Sequence, residues 1–389
     1  MEYDQTVVDN RQYDTRGRRK RVRTKGRMDY ALLLIIMVLT AFGIIMVYSS
    51  SYYTASLSSS YNHNPAYFAI RQAAYAMMGI VAMVIVSHID YHIWYKKSLF
   101  RIMYFTMIIL MALVFVFGIE VNGAKRWIEI PGIGVTFQPS EIAKVVIVLT
   151  LARLLYTCYR KLNDIRILLA ICAIVGVFII LAGIENLSSA IIMSAIVGIM
   201  IIFAVPRWKD IGVLVIIAGV MLVIIFSFKA YRSDRISEWH NQDVINGAVT
   251  QSGAAISAIG SGGLFGSGIG QSLQKMGTLS EAHNDMIFSI ICEEFGFVGG
   301  IAVIVLFVVM ILRMSNIVVN AYDLYGSLIV VGVMAHIGVQ AAINMAVVTG
   351  VSPNTGVPLP FISYGGTSLI FLFGEIGLVM SVARSMMKE

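Results

Sequence analysis

The stretch Glu281-Ala282-His283-Asn284-Asp285-Met286-Ile287-Phe288 sets a carboxylate and an imidazole where a long polar loop runs into an apolar segment. An ionisable side chain at the mouth of a membrane span is costly to keep, which makes it a functional candidate by default. What Asp285 does there depends on which side of the membrane it faces, since that side decides which substrates reach it. His283, two positions earlier, suggests a metal pair. No third ligand follows at a recognisable spacing, which argues against a structural zinc site. A hard divalent cation, Mg2+ or Mn2+, held by a carboxylate and substrate phosphates is compatible with these residue types. No organic cofactor is expected. The glycine-rich run at 260–270 has neither a G-x-G-x-x-G pattern nor a Gly-Lys-Ser/Thr ending, so it is read as backbone that approaches helices or a ligand, or as a flexible spacer. Leu264, Phe265 and Ile269 favour packing.

A second set of charges opens another apolar run at Gln138-Pro139-Ser140-Glu141-Ile142-Ala143-Lys144. Pro139 suits a first helical turn, and Glu141 and Lys144 at i, i+3 share a face. Facing lipid, both would be expensive; facing the interior, they pair with each other or with a substrate. Glu293 and Glu294 follow Asp285 by about two turns, which puts Asp285 and Glu293 near one stripe of a helix. They could line a cavity, relay protons or join helices. His336, Gln340 and Asn344 repeat at i, i+4, i+8, a ladder that glues helices or lines a cavity wall. Cys158, Cys172 and Cys292 have no paired spacing and are read as packing residues. No G-x-S-x-G motif or Ser/His/Asp set argues for a hydrolase.

The elements that must position these groups are membrane helices. The chain of 389 residues is 58% hydrophobic and only 13% charged, with mean hydropathy +0.80, which no soluble domain of this size could cover with polar groups. Apolar runs fall near 31–48, 67–87, 99–118, 139–156, 167–184, 188–205, 211–229, 285–312, 327–348 and 366–383. They predict an all-α polytopic membrane protein of about ten helices. The pattern of an outer-membrane barrel is absent.

Residues 16–27 hold eight of the 29 basic residues, directly before the first span. With that tail inside, 21 basic residues fall on the inner face and seven (Arg71, Lys125, Arg126, Lys229, Arg232, Arg235, Lys275) on the outer, with Lys144 in a span. Both termini are therefore expected in the cytoplasm. The tail, 1–29, reads as disordered; its charge could bind nucleic acid or anionic lipid, but as the positive-inside anchor it needs neither. Residues 30–385 form the membrane domain and 386–389 a short cytoplasmic end. Three outward loops, 119–138, 230–284 and 349–365, carry Trp, Phe and Ile among turn residues, so ordered and partly re-entrant segments are expected there.

Four segments together resemble one family: Asn-Gly-Ala-Lys-Arg-Trp-Ile (122–128), Phe-Gln-Pro-Ser-Glu-Ile-Ala-Lys (137–144), Glu-Ala-His-Asn-Asp-Met-Ile-Phe with Glu-Glu-Phe-Gly-Phe-Val-Gly (281–299), and Pro-Asn-Thr-Gly-Val-Pro-Leu-Pro-Phe-Ile-Ser-Tyr-Gly-Gly-Thr-Ser-Leu (353–369). They are similar to the shape, elongation, division and sporulation (SEDS) proteins of bacteria, collinearly from about residue 30 to 385. The resemblance implies a ten-helix fold in the cytoplasmic membrane. It also implies a peptidoglycan glycosyltransferase that polymerises lipid II on the outer face, beside a class B penicillin-binding transpeptidase. The run at 342–350, Gly-Gly-Thr-Ser-Leu-Ile (365–370) and the basic tail lean toward the division branch, with other division proteins as partners. Elongation and sporulation roles are the alternatives within the family.

The same resemblance implies that Asp285 is the essential carboxylate, here read as the general base. Lys125, Arg126 and Lys144 would face a diphosphate, with Glu141 beside Lys144. Trp127 would offer a sugar- or lipid-facing surface or serve as a plain interfacial anchor. His283 and Ser363 would line the pocket, with packing as the alternative for the Ser363 loop. Ser280, Asn284 and Met286 depart from the family pattern around Asp285 without removing the carboxylate. Glu185-Asn186-Leu187-Ser188-Ser189-Ala190 replaces a Pro-Asp-Leu-Gly-Thr-Ala run, which puts any acidic role there in doubt. By composition alone a flippase for lipid-linked precursors, or a non-catalytic scaffold that activates a transpeptidase, would suit as well. A transporter should show internal repeats with helices broken near the midplane, and no clear repeat is present.

Overall fold

The computed structural model describes residues 28–121, 124–130, 135–205, 212, 244–245, 248–276, 279 and 282–386. Its helices are α1 (Tyr30–Leu57), α2 (Tyr67–His88), α3 (Lys97–Phe117), α4 (Pro139–Cys158), α5 (Ile165–Glu185), α6 (Leu187–Ala204), α7 (Gln251–Ser261), α8 (Ile287–Asn320), α9 (Leu324–Val348) and α10 (Thr367–Ala383). Among the described residues eight helices are long and apolar enough to span a membrane, and α10, with 17 residues, is a shorter apolar helix. Apart from residue 212, the expected span at 211–229 lies outside the described residues, as does the tail 1–27. So do Glu281, Ser280 and most of 206–247.

Helix starts follow local chemistry. Asp29 accepts from Leu32 N at 3.0 Å, Asp164 from Arg166 N at 2.9 Å and Asn186 from Ser188 N at 3.1 Å, each satisfying a first-turn amide. Pro139 occupies the first turn of α4, where its missing N–H costs nothing. Asp323 caps α9 through Gly326 N at 2.8 Å and also accepts from the Tyr91 hydroxyl at 3.0 Å and lies 2.8 Å from His92 Nε2. The connection after α2 is thereby tied to the start of α9.

Of the eight long spans α9 is the most buried, packing against α4, α6, α8 and α10, and α3 is the least buried. Small residues allow the closest approach. A Cβ on Gly377 of α10 would stand 2.8 Å from Met83 O of α2, so the two backbones meet directly there.

The loop at 119–138 is ordered as β1 (Ile119–Val121), β2 (Ala124–Ile130) and β3 (Val135–Phe137) in an antiparallel sheet, β1-β2-β3. The order expected in this loop is present in its described residues, whose strands pair their backbones with one another. The loop at 349–365 does enter the bundle. Phe361 and Ile362 are buried, and a Cβ on Gly43 of α1 would meet Ile362 Cα at 2.6 Å.

The expected eighth span, 285–312, is a longer helix that runs to Asn320 and breaks at Gly296 (φ 69°, ψ −165°). The glycine-rich run fills the break. Ser267 N and Gly268 N donate to the Glu293 and Glu294 carbonyls at 2.9 and 3.0 Å. Phe297 N and Val298 N donate to the Gly263 and Leu264 carbonyls at 2.9 and 3.2 Å. Backbone freed at a break inside a membrane must find partners, and this loop supplies them. The packing works through glycine backbone and not through the apolar side chains: Leu264, Phe265 and Ile269 are 65%, 80% and 61% exposed, against the reading that they pack.

Candidate active site

Asp285 lies in the turn just before α8 and is buried, at 6% exposure. Its carbonyl accepts from Asn344 Nδ2 of α9 at 2.7 Å, and the same amide donates to Val357 O at 2.7 Å. One side chain thus pins the backbone of Asp285 to the loop that follows α9. Gly356 of that loop has φ 65°, and a Cβ there would sit 3.8 Å from Asp285 Oδ2, so bare backbone forms the wall beside the carboxylate.

Helix side chains hold the rest of the loop. Gln340 Nε2 donates to Pro358 O at 3.0 Å, Ser188 Oγ of α6 to Thr355 O at 2.7 Å, and Gln72 Nε2 of α2 to Ser363 O at 2.9 Å. The Ser363 hydroxyl accepts from Leu359 N at 2.7 Å, so Ser363 serves the loop's own turn. Two rungs of the ladder, Gln340 and Asn344, satisfy non-helical backbone in the bundle, while His336 bonds the side chains of Gln340 and Glu375. Neither Gln72 nor Ser188 was singled out in the sequence, since an isolated polar residue carries no spacing signal.

His283 stands two residues from Asp285, but its ring packs on Phe68 (centroids 4.3 Å apart) and near Tyr364 (5.7 Å), and its carbonyl accepts from Tyr364 N at 2.9 Å. Burial holds the imidazole well below its usual range, at about 4, so it is neutral at physiological pH. The Tyr364 phenol is pushed up to about 12 by the same burial, with Arg71 acting against it. Among the described residues no three His, Cys, Asp or Glu side chains converge on one point.

Glu141 and Lys144 form the expected ion pair at 2.8 Å, and Lys144 is almost fully buried. Lys144 Nζ also donates to Gln340 Oε1 at 3.0 Å. A continuous polar chain therefore runs from Lys144 through Gln340, the Pro358–Val357 backbone and Asn344 to Asp285. Arg126 Nε of β2 donates to Glu185 O at 3.3 Å, and its guanidinium lies in the field of the buried Glu185 carboxylate. Glu185 sits where the sequence left an acidic role in doubt, which returns it to the candidate site. Trp127 is half-buried opposite Ile119. Lys125 pairs with Glu120 in the strand register, and its side chain lies outside the described residues.

Glu293 and Glu294 are not part of this set. Glu293 accepts from Ser272 Oγ and Leu273 N at 2.5 and 2.8 Å. Glu294 pairs with Lys275 at 2.8 Å and accepts from Ser49 Oγ of α1 at 2.6 Å. They anchor the glycine-rich loop to α1 and α8, so the shared stripe with Asp285 does not become a proton relay.

The family model described as "Cell cycle protein" (FtsW, RodA, SpoVE) matches residues 30–388. A relative from Geobacter sp. (strain M18), "Probable peptidoglycan glycosyltransferase FtsW", is 34% identical over 369 residues, covering 92% of this chain and 97% of its own. "Stage V sporulation protein E" of Bacillus subtilis (strain 168) is 34% identical over 364 residues, with the same coverages. Among solved structures, a chain described under "Structural coordination of polymerization and crosslinking by a peptidoglycan synthase complex" aligns with TM-score 0.72 at 24% identity, over 92% of this chain and 98% of that one. The rod shape determining protein RodA of Thermus thermophilus aligns with TM-score 0.67 at 23% identity, over 93% and 98%. The shared multi-pass helical fold and the match along nearly the whole chain lead to one conclusion: this protein belongs to the FtsW/RodA/SpoVE family of membrane proteins.

Proposed function

We propose that this protein is a peptidoglycan glycosyltransferase that polymerises lipid II on the outer face of the cytoplasmic membrane. The observation that carries the mechanism is Asp285: a buried carboxylate at a helix mouth, its backbone pinned by Asn344 and its flank walled by Gly356, and joined through one polar chain to a buried lysine. The Asp285 carboxylate takes the proton of the acceptor C4 hydroxyl as that oxygen bonds to the donor's C1. The bond from C1 to the lipid diphosphate breaks, and the diphosphate leaves with the electron pair. An α-linked donor then yields a β-linked product by one inverting displacement. Lys144, Arg126 and Lys125 supply positive charge toward the leaving group, with Glu141 fixing Lys144. Trp127 offers the sugar or lipid a flat surface, and His283 and Ser363 shape the pocket from behind. A hard divalent cation would be held by Asp285 and the oxygens of the diphosphate, since the described residues form no closed protein site.

The relatives named FtsW support a role in division, beside a class B penicillin-binding transpeptidase and other division proteins. The equal identity to the Bacillus sporulation protein supports the sporulation branch as a second reading. Purified protein, alone and with its transpeptidase, is to be given labelled lipid II and Mg2+ or Mn2+, and glycan chains resolved on a gel. Wild type should make chains and Asp285→Ala at least about a hundredfold fewer. Undiminished chains from Asp285→Ala would overturn the assignment of the base. Transfer of lipid II across vesicles without any chains would replace polymerisation by transport.

A further inference from the structure

Behind Lys144 the polar chain continues into the bundle through residues that the proposed reaction does not use. Gln340 Oε1 receives Lys144 Nζ at 3.0 Å and lies 2.9 Å from His336 Nε2, while Gln340 Nε2 donates to Pro358 O. Lysine can only donate and a carbonyl can only accept, so the orientation of the Gln340 amide is fixed by its partners. His336 Nε2 must then carry a proton and give it to Gln340 Oε1. On the other side of the ring, His336 Nδ1 lies 2.7 Å from Glu375 Oε2 of α10. A contact that short needs one more proton on the line between them, whichever atom holds it. All three side chains are nearly inaccessible: Gln340, His336 and Glu375 are 1%, 2% and 0% exposed. A buried group without its partner costs far more than a satisfied one gains, so this pattern has one stable arrangement.

We infer that Gln340 is a positioning residue, locked by the His336–Glu375 pair, which sets Lys144 against the Pro358 loop and through it against Asp285. The pair touches no substrate atom in this scheme and acts only by holding the Gln340 carbonyl. The inference rests on the reading of Asp285 and Lys144 as one site, and its test separates the two. Full-length protein with 15N-labelled histidine is to be examined by NMR in detergent or nanodiscs, with His336 identified by its loss in His336→Gln. Polymerisation of lipid II is measured on the folded fraction of Glu375→Gln and Glu375→Ala.

The expected result is a protonated Nε2 at His336 in wild type and in Glu375→Gln, whose amide can donate to Nδ1 in place of the shared proton. Glu375→Gln should keep turnover within about threefold of wild type, and Glu375→Ala should lose about tenfold or more per folded molecule. An unprotonated His336 Nε2 in wild type would overturn the inference. Wild-type turnover in folded Glu375→Ala would overturn it too, as would equal losses in both variants. If wild type makes no glycan at all, the catalytic reading fails, while the protonation pattern still decides whether the lock exists.

Discussion

At the scale of single residues, burial assigns the two members of the His-x-Asp pair different work. Asp285 keeps a carboxylate beside bare backbone, while His283 is wrapped by Phe68 and Tyr364 and held neutral. In the unfolded chain the imidazole takes up its proton near 6.5, but in the fold only near 4. Between those values the unfolded state binds more protons, so stability is complete above 6.5 and lost as pH falls through about 4. The difference amounts to about 3 kcal/mol at most. Thermal unfolding in detergent should therefore show a melting temperature that drops between pH 7 and pH 4.5, and His283→Phe should flatten that drop. An identical slope in the variant would mean that other groups dominate. Because His283 does not titrate near neutrality, a kinetic pKa between 6 and 7 in polymerisation would belong to another group.

At the scale of elements, the break in α8 and the glycine-rich loop form one interlocked unit. A Cβ on Gly296 would come within 2.4 Å of Gly266 N, and one on Gly266 within 2.2 Å of Glu294 O, both at positive φ. Both positions need glycine for space and for conformation. Gly296→Ala or Gly266→Ala should each cost about 2 kcal/mol or more, read as a lower melting temperature, whereas Gly263→Ala, with open space at its Cβ, should cost only the strain of its positive φ. Equal melting temperatures for all three would show that the loop is not seated in the helix break. Since α8 begins two residues after Asp285, this unit also fixes the mouth where the carboxylate stands.

At the scale of the whole molecule, the charge distribution predicts which end of the bundle faces out. The sheet, the turn carrying His283 and the loop after α9 converge at one end, joined by bonds such as Thr367 Oγ1 to Thr136 O and Tyr364 N to His283 O. Ile269 and Gly270 of the glycine-rich loop line a cavity with Tyr48 and Tyr52 near the end of α1. The start of α1 and the loop carrying Arg160 and Lys161 belong to the other end. In a background without Cys158, Cys172 and Cys292, a membrane-impermeant maleimide should label Phe265→Cys on intact cells and Lys161→Cys only after permeabilisation. The reverse pattern would invert the topology and remove Asp285 from lipid-linked sugars outside the cell.

Read alone, the sequence determined what simple periodicity and solvation cost encode. Apolar runs long enough to span lipid marked nine of the described helices to within a few residues at most ends, and Pro139, Glu141 and Lys144 were legible as a first turn and an ion pair. Asp285 stood out because a carboxylate at a helix mouth has few cheap explanations. Contacts between residues far apart in the chain were decided only by the tertiary structure. The pairing of Glu294 with Lys275, the reach of Gln72 and Ser188 to loop carbonyls, and the meeting of His336 with Glu375 have no local spacing to announce them. The physical reason is that in lipid each non-helical carbonyl and amide must find a partner, and the partner is chosen by packing in three dimensions.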